Sequence, residues 1–185
     1  MNIFILSDSV RESVRYHCDQ HVRKMPTEAA QMLSTCIYLQ LYEGMIPRGS
    51  PPELKASYKA KTGIYLPTHA NHPVSKWVRS SRDNFIYTLA YSELLCDEFT
   101  HRFNKVHGTL RTINAIKGYL RYLKFPRDKL TTHTITTGKN RAYLDPVQEY
   151  QRYYKDSKRG WYDGYGNWHD NTWTNRPTPE FMNRS

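Results

Sequence analysis

The chain has 185 residues, a formal net charge of +10, a pI near 9.5 and a mean hydropathy of −0.78, which suits one domain able to bury a core. No apolar run is long enough to span a bilayer, and Met1–Leu6 lacks the basic flank and long apolar region of a signal peptide. Cys18, Cys36 and Cys96 are scattered, with no CxxC pair, so a disulfide framework is excluded and a reducing cytoplasm fits.

In chain order, Ile3-Phe4-Ile5-Leu6 reads as a short buried strand. Ser9-Val10-Arg11-Glu12 matches a capping box, so a helix is predicted from Val10, with Val14, Cys18, Val22, Met25 and Ala29 as its apolar stripe. Pro26 is predicted to kink or divide this helix, which resumes from Thr27 to about Tyr42. Gly44 to Pro67 reads as a loop with a turn of helix near Glu53–Ala60. A second long helix is predicted from Asn71-His72-Pro73 to about Phe103, bending near Ser80-Ser81. A third fits Leu110–Leu123 and ends before Pro126. From Tyr143 onward, Tyr and Trp alternate with Gly, Asn, Asp and basic residues, and this tail is predicted to wrap irregularly across the helices. The fold class is therefore mainly α: a compact single-domain helical bundle over residues 1–185, with a short extended N-terminal segment (1–43 with the first helix), a loop (44–70), the long and third helices (71–125), and an aromatic, irregular C-terminal wrap (126–185).

Chemistry concentrates in "RYHCDQHVRKMPTEAAQ". On one continuous helix His17, His21, Lys24 and Glu28 fall within roughly 60° of arc, about 100° from the apolar stripe. They thus border the core-facing side, where a cleft wall would stand. A solvated face would more often carry only Lys and Glu. His-x-x-x-His suits zinc, but Cys18 stands where the H-E-x-x-H motif needs its glutamate, and the residues select no third ligand. An acid–base reading instead uses Glu28, held ionised by Lys24, Arg23 or a histidine, to orient water or stabilise a cationic sugar.

Chain lengths add a neighbour. If Met1–Leu6 runs antiparallel beside the first helix, six extended residues reach about 20 Å, a distance the helix covers in about 13 residues. The α-amine of Met1 then lies level with His21 and within reach of Lys24 and Glu28. Asn2 is bulky enough to keep Met1 in place. An α-amine ordinarily titrates near 7.7–8.0, so a useful fraction is nucleophilic at neutral pH and can form a Schiff base with a sugar aldehyde.

The segments N-I-F, "CDQHVRKM", "EAAQMLST", "NHPVSKWVRSS", "LLCDEFTHRFNKVH" and "YQRYYK", in that order, resemble a set of mostly uncharacterised tailed-phage proteins across nearly the whole chain. "DQH", followed seven residues later by glutamate, resembles the phage pyrimidine-dimer DNA glycosylase/AP lyase (endonuclease V) family. That family is compact and helical, its N-terminal amine attacks the sugar carbon, and its glutamate is essential. The resemblance implies Met1 as the nucleophile, His21 as its orienting partner and Glu28 as the carboxylate, with Lys24 the alternative amine. Two arginines of that family are Thr27 and Gln31 here.

Further candidates are cations and aromatics. Lys76, Arg79 and Arg82 recur every three residues as a ridge for phosphates, and His72 opens their helix. Arg152, Tyr153, Tyr154, Lys158 and Trp161 mix cations with rings suited to stacking. His17 and Arg23 complete the nucleic-acid set. The reading is a phage DNA-acting protein, a DNA glycosylase/AP lyase that flips a damaged or modified base, needs no cofactor or metal, and works in the cytoplasm of the infected bacterial host. Its partner is DNA, with RNA or a nucleotide as alternatives, and no membrane. The alternatives are a non-catalytic nucleic-acid or host-protein binder, and an enzyme of nucleotides or modified bases in phage DNA.

Overall fold

The structure, a computed structural model, describes residues 1–136 and 145–183. The composition change at Tyr143 lies outside the described residues. Ser9 caps α1 (Val10–Tyr16), its hydroxyl accepting from the Glu12 amide at 3.4 Å, as the capping box predicts. The helix ends earlier than the apolar stripe implies. His17 turns extended, and its Nδ1 lies 2.7 Å from the Ser13 carbonyl. The chain then restarts as α2 (Asp19–Leu41).

The division therefore falls at His17-Cys18, and Pro26 sits inside α2 without ending it. Both outcomes have long-range causes. The Asp19 amide, orphaned at the start of α2, donates to the carbonyl of Thr172 at 2.8 Å. Pro26 is buried, and its carbonyl accepts from Ser92 of α5 (Arg82–Phe103) at 3.1 Å. α5 is the helix against which α2 packs most extensively, so packing holds the helix through a residue that removes only one donor.

The Gly44–Pro67 segment contains a full helix, α3 (Pro52–Thr62), rather than a turn; Gly63 ends it at φ +71°, with its Cβ position only 2.9 Å from Ala115. The second predicted helix is split into α4 (Pro73–Arg79) and α5 by Ser80-Ser81, where the Ser81 hydroxyl caps α5 at Asn84. α6 (Leu110–Tyr119) tightens into a 3-10 turn over Leu120–Tyr122. Beyond it the tail is more regular than its composition suggests. It holds α7 (Pro146–Ser157), opened by Asp145 as cap and Pro146, and a hairpin of β1 (Gly160–Tyr162) and β2 (Trp168–Asp170).

The protein is thus mainly helical, with a two-stranded sheet among the described residues. Among those residues no helix is long and apolar enough to cross a membrane. The core is shared by the N-terminal segment (Ile3, Leu6), α2 (Val22, Met25, Leu33, Ile37), α5 (Phe85, Tyr91, Leu95) and α7 (Tyr150, Tyr154).

Residues 1–6 are mostly buried but form no strand, contrary to expectation. Their backbone groups are paired by side chains instead of by a sheet edge. Ser13 Oγ donates to the Phe4 carbonyl (3.1 Å) and accepts from the Leu6 amide (2.8 Å). His133 Nε2 lies 2.9 Å from the Ile3 carbonyl, and Gln151 donates to the Leu6 carbonyl at 2.9 Å. Three separate elements therefore fix where the N-terminus points.

Candidate active site at the N-terminus

The N-terminal segment delivers the α-amine of Met1 to α2. The nitrogen lies 3.8 Å from Glu28 Oε2. The same oxygen accepts from the Asn2 amide at 3.2 Å, and Glu28 Oε1 receives Lys24 Nζ at 2.9 Å. Asn2 is itself pinned. Its Oδ1 accepts from the Ile3 amide (2.9 Å) and from the Tyr150 hydroxyl of α7 (2.8 Å). The Met1 side chain is buried, which leaves the terminus little freedom.

These groups open on a pocket of about 290 Å³ lined by Met1, Asn2, Phe4, His21, Lys24, Met25, Glu28, His72, Thr136, Tyr153 and Lys158. One wall is a group of nearly parallel rings: Phe4 lies 4.6 Å from His21 and 5.9 Å from Tyr153. Lys158 Nζ sits 5.4 Å above the Tyr153 ring. A flat wall beside an amine, a carboxylate and two cationic side chains suits a planar ring joined to an anionic chain.

Protonation states follow from burial. His21 bonds the Tyr154 hydroxyl through Nδ1, and its pKa is pushed well below the usual histidine range by burial, then by His17, Lys158 and Lys24. It stays neutral at physiological pH. His72 Nδ1 accepts from the Val74 amide at 3.3 Å, so in the neutral ring the proton is on Nε2. Burial, the N-terminal charge and His69 lower its pKa, while Glu28 raises it.

The predicted residues divide into groups. Met1, His21, Lys24 and Glu28 share the pocket with His72, Tyr153 and Lys158. His17 does not join them as a contact. It is fully buried, between the Ser13 carbonyl and the Tyr91 hydroxyl, each at 2.7 Å, with a pKa lowered to about 4 by burial. Tyr154 is likewise fully buried, so both support the pocket from behind, and a role in touching nucleic acid is corrected for each.

Arg23 lies over the Phe103 ring at 4.4 Å. Arg152 is engaged by Glu149 at 2.7 Å, and Trp161 belongs to the hairpin, stacked on His169 at 4.8 Å. The cationic ridge is broken by the Ser80-Ser81 turn. Lys76 and Arg79 end α4, Arg79 donating to the Ala70 carbonyl at 2.7 Å. Arg82 opens α5 and lines a shallow depression with Lys117 and Arg121.

Asn2, Phe4 and Thr136 belong to the pocket without having been singled out from sequence. Phe4 had a signal, since it belongs to the apolar run Ile3-Phe4-Ile5-Leu6, but nothing local marks Asn2 as a ligand of Tyr150. A second cavity of about 280 Å³ is lined by Ile5, Trp77, Tyr87, His133 and Val147, and holds none of the predicted residues. Among the described residues, no group of three His, Cys, Asp or Glu side chains is placed to hold a metal, and the three cysteines are buried free thiols.

Comparison with family models, with curated proteins and with solved structures finds no match for this chain.

Proposed function

We propose that this is a DNA-acting phage protein, a DNA glycosylase/AP lyase that uses the α-amine of Met1 as nucleophile on the sugar of a flipped, damaged or modified base. One observation carries the reading: the Met1 nitrogen stands 3.8 Å from a carboxylate, at the mouth of an open pocket with a stacking wall. The proposal takes Met1 as the first residue of the mature chain.

The chemistry balances with the groups present. Once the amine has lost a proton, its lone pair forms a bond to C1′ of the deoxyribose while the C1′–N bond to the base breaks and the base leaves with that electron pair and a proton. Glu28 stabilises the cationic sugar, takes the second proton from the amine and returns it to O4′ as the ring opens to the iminium. Glu28, having given up that proton, takes one from C2′, the 3′ phosphate leaves with the C3′–O electron pair by β-elimination, and water adds to the iminium to release the amine. Lys24 and Lys158 offset phosphate charge, and His21, neutral, positions the Phe4 wall through its stack.

The resemblance of "DQH" and Glu28 to the endonuclease V family supports this reading, as does the +10 charge. The test is sodium borohydride trapping on abasic DNA. A covalent adduct that disappears when the α-amine is acetylated supports it. Salt-sensitive DNA binding with no adduct replaces it by a non-catalytic binder.

A further inference from the structure

The hairpin that follows α7 displays aromatic rings that the pocket does not use. β1 pairs with β2 through Gly160↔Asp170, Trp161↔His169 and Tyr162↔Trp168. Gly160 is required there, because a Cβ would fall 2.3 Å from the Trp168 ring and 2.4 Å from the His169 carbonyl. The turn beyond is built around one side chain. Asp163 accepts from the amides of Tyr165 and Asn167 (both 2.9 Å), from Asn167 Nδ2 (3.0 Å) and from His169 Nε2 (3.0 Å). Gly166 supplies the positive φ of +85° that closes it.

This internally bonded turn holds Tyr165 94% exposed at its tip, with Tyr162 at 68% and Trp168 at 49% just below. Tyr162 and Trp168 pack edge to face at 4.9 Å and carry Tyr165 above them, and such exposed rings on a fixed turn mark an interaction surface. The root of the hairpin adjoins the pocket. Lys158 lines the pocket, and Asn171 ties the two strands at that level by donating to the Lys158 carbonyl (2.9 Å) and the Arg159 carbonyl (2.7 Å). Arg152, Lys155, Lys158 and Arg159 lie in the last two turns of α7 and the residues that lead into β1, so cations precede the rings along the chain.

We infer that the β1–β2 hairpin is a stacking finger for an unpaired base, with Tyr165 taking the face of a base next to the one held at the pocket. Resting on the reading of the pocket as a DNA site, it adds the substrate class: DNA with a locally unstacked strand, single-stranded or abasic, rather than intact duplex. Every base has a π face, so the finger is tolerant of sequence and selective for unstacking. The cations at its root neutralise phosphates on either side, and the charge of the chain favours nucleic acid over an acidic protein surface.

The test compares the full chain with Tyr165→Ala and Tyr165→Phe. Tyr165 touches nothing that folding needs, so both variants fold. Affinity is measured at fixed salt for a single strand, for a duplex with one tetrahydrofuran abasic site, and for the fully paired duplex. Tyr165→Ala weakens binding to the first two about tenfold, leaves the paired duplex within about twofold, and keeps the salt slope, because a stack rather than a phosphate contact is removed. Tyr165→Phe retains the wild-type affinity.

Unchanged affinity in Tyr165→Ala overturns the finger, whatever borohydride trapping shows. An equal loss on all three DNAs overturns it as well, as does failure of the wild-type chain to bind any of them. Selective loss of binding, with no adduct trapped by the wild type, supports the finger while removing the lyase reading.

Discussion

Two carboxylates on α2, nine positions apart, meet positive charge in opposite ways. Asp19, at the start of the helix, is saturated. It accepts from Arg102 Nη1 (2.9 Å), the Thr172 hydroxyl (2.7 Å), and the Thr174 amide (3.1 Å) and hydroxyl (2.6 Å). Arg102 is shared with Glu98, which Arg176 grips at 2.9 Å through two nitrogens. Burial pushes both carboxyls up, but the hydrogen bonds of Thr174 and Arg102 on Asp19, and of Arg176 and Arg102 on Glu98, bring them below the usual range.

Glu28, by contrast, faces a pocket, and one of its cations is the α-amine of Met1, the nucleophile of the proposed reaction. Asp19 has its acceptor positions filled, and its cluster binds the end of α1, the start of α2, α5 and the tail together. The second accepts from Lys24 and the Asn2 amide and keeps a side open to the pocket. Saturation marks the carboxylate that builds the fold, and an open side marks the one available for reaction.

Breaking the saturated cluster gives the largest effect. Arg102→Leu leaves Asp19 and Glu98 buried with part of their charge unpaired, and about 3–5 kcal/mol of stability is lost in urea unfolding. Glu28→Gln reverses the pattern. Stability drops by less than about 1 kcal/mol, because its lysine partner is exposed. Yet adduct formation on abasic DNA falls at least about 100-fold, as loss of a general acid–base group demands. Equal stability costs for the two variants would erase the distinction between the clusters.

The third effect is on pH. His17 and His133 are held near pKa 4 by burial, and His21 is lowered too, so the folded chain refuses protons that the unfolded chain accepts near 6.5. Their contribution to stability is full above about pH 6.5 and falls as pH drops toward 4, by up to about 1.4 kcal/mol per pH unit for each histidine. Urea midpoints measured across that window check it, and a flat profile contradicts neutral burial. Smallest is Lys24→Ala. Its side chain is 67% exposed, so stability changes by less than about 0.5 kcal/mol. If Met1 rather than Lys24 is the nucleophile, trapping persists.

The contrast also explains what could be read from sequence. The amine meeting Glu28 was expected from two chain lengths counted from the Ser9 cap, and it arrives there although residues 1–6 form no strand and the helix breaks at His17. His21, Lys24 and Glu28 stayed together because their spacing lies within one helix. The break at His17 was not legible, since the donor group of Asp19 is satisfied by Thr172, more than 150 residues later. For the same reason Pro26 did not divide α2.

The N-terminal segment was recognised as buried but taken for a strand, whereas side chains of Ser13, His133 and Gln151 pair its backbone groups. α7 did leave a local trace. Asp145-Pro146 is a helix start, and Tyr150, Tyr153 and Tyr154 follow helical spacing, though the density of rings and polar residues hid it.

The most direct test of the central claim is peptide mapping by mass spectrometry of the adduct trapped with borohydride on an abasic oligonucleotide. The account predicts the sugar remnant on the α-nitrogen of Met1, with no adduct once that amine is acetylated. A remnant on Lys24 or elsewhere, or an adduct that survives acetylation of Met1, would contradict it.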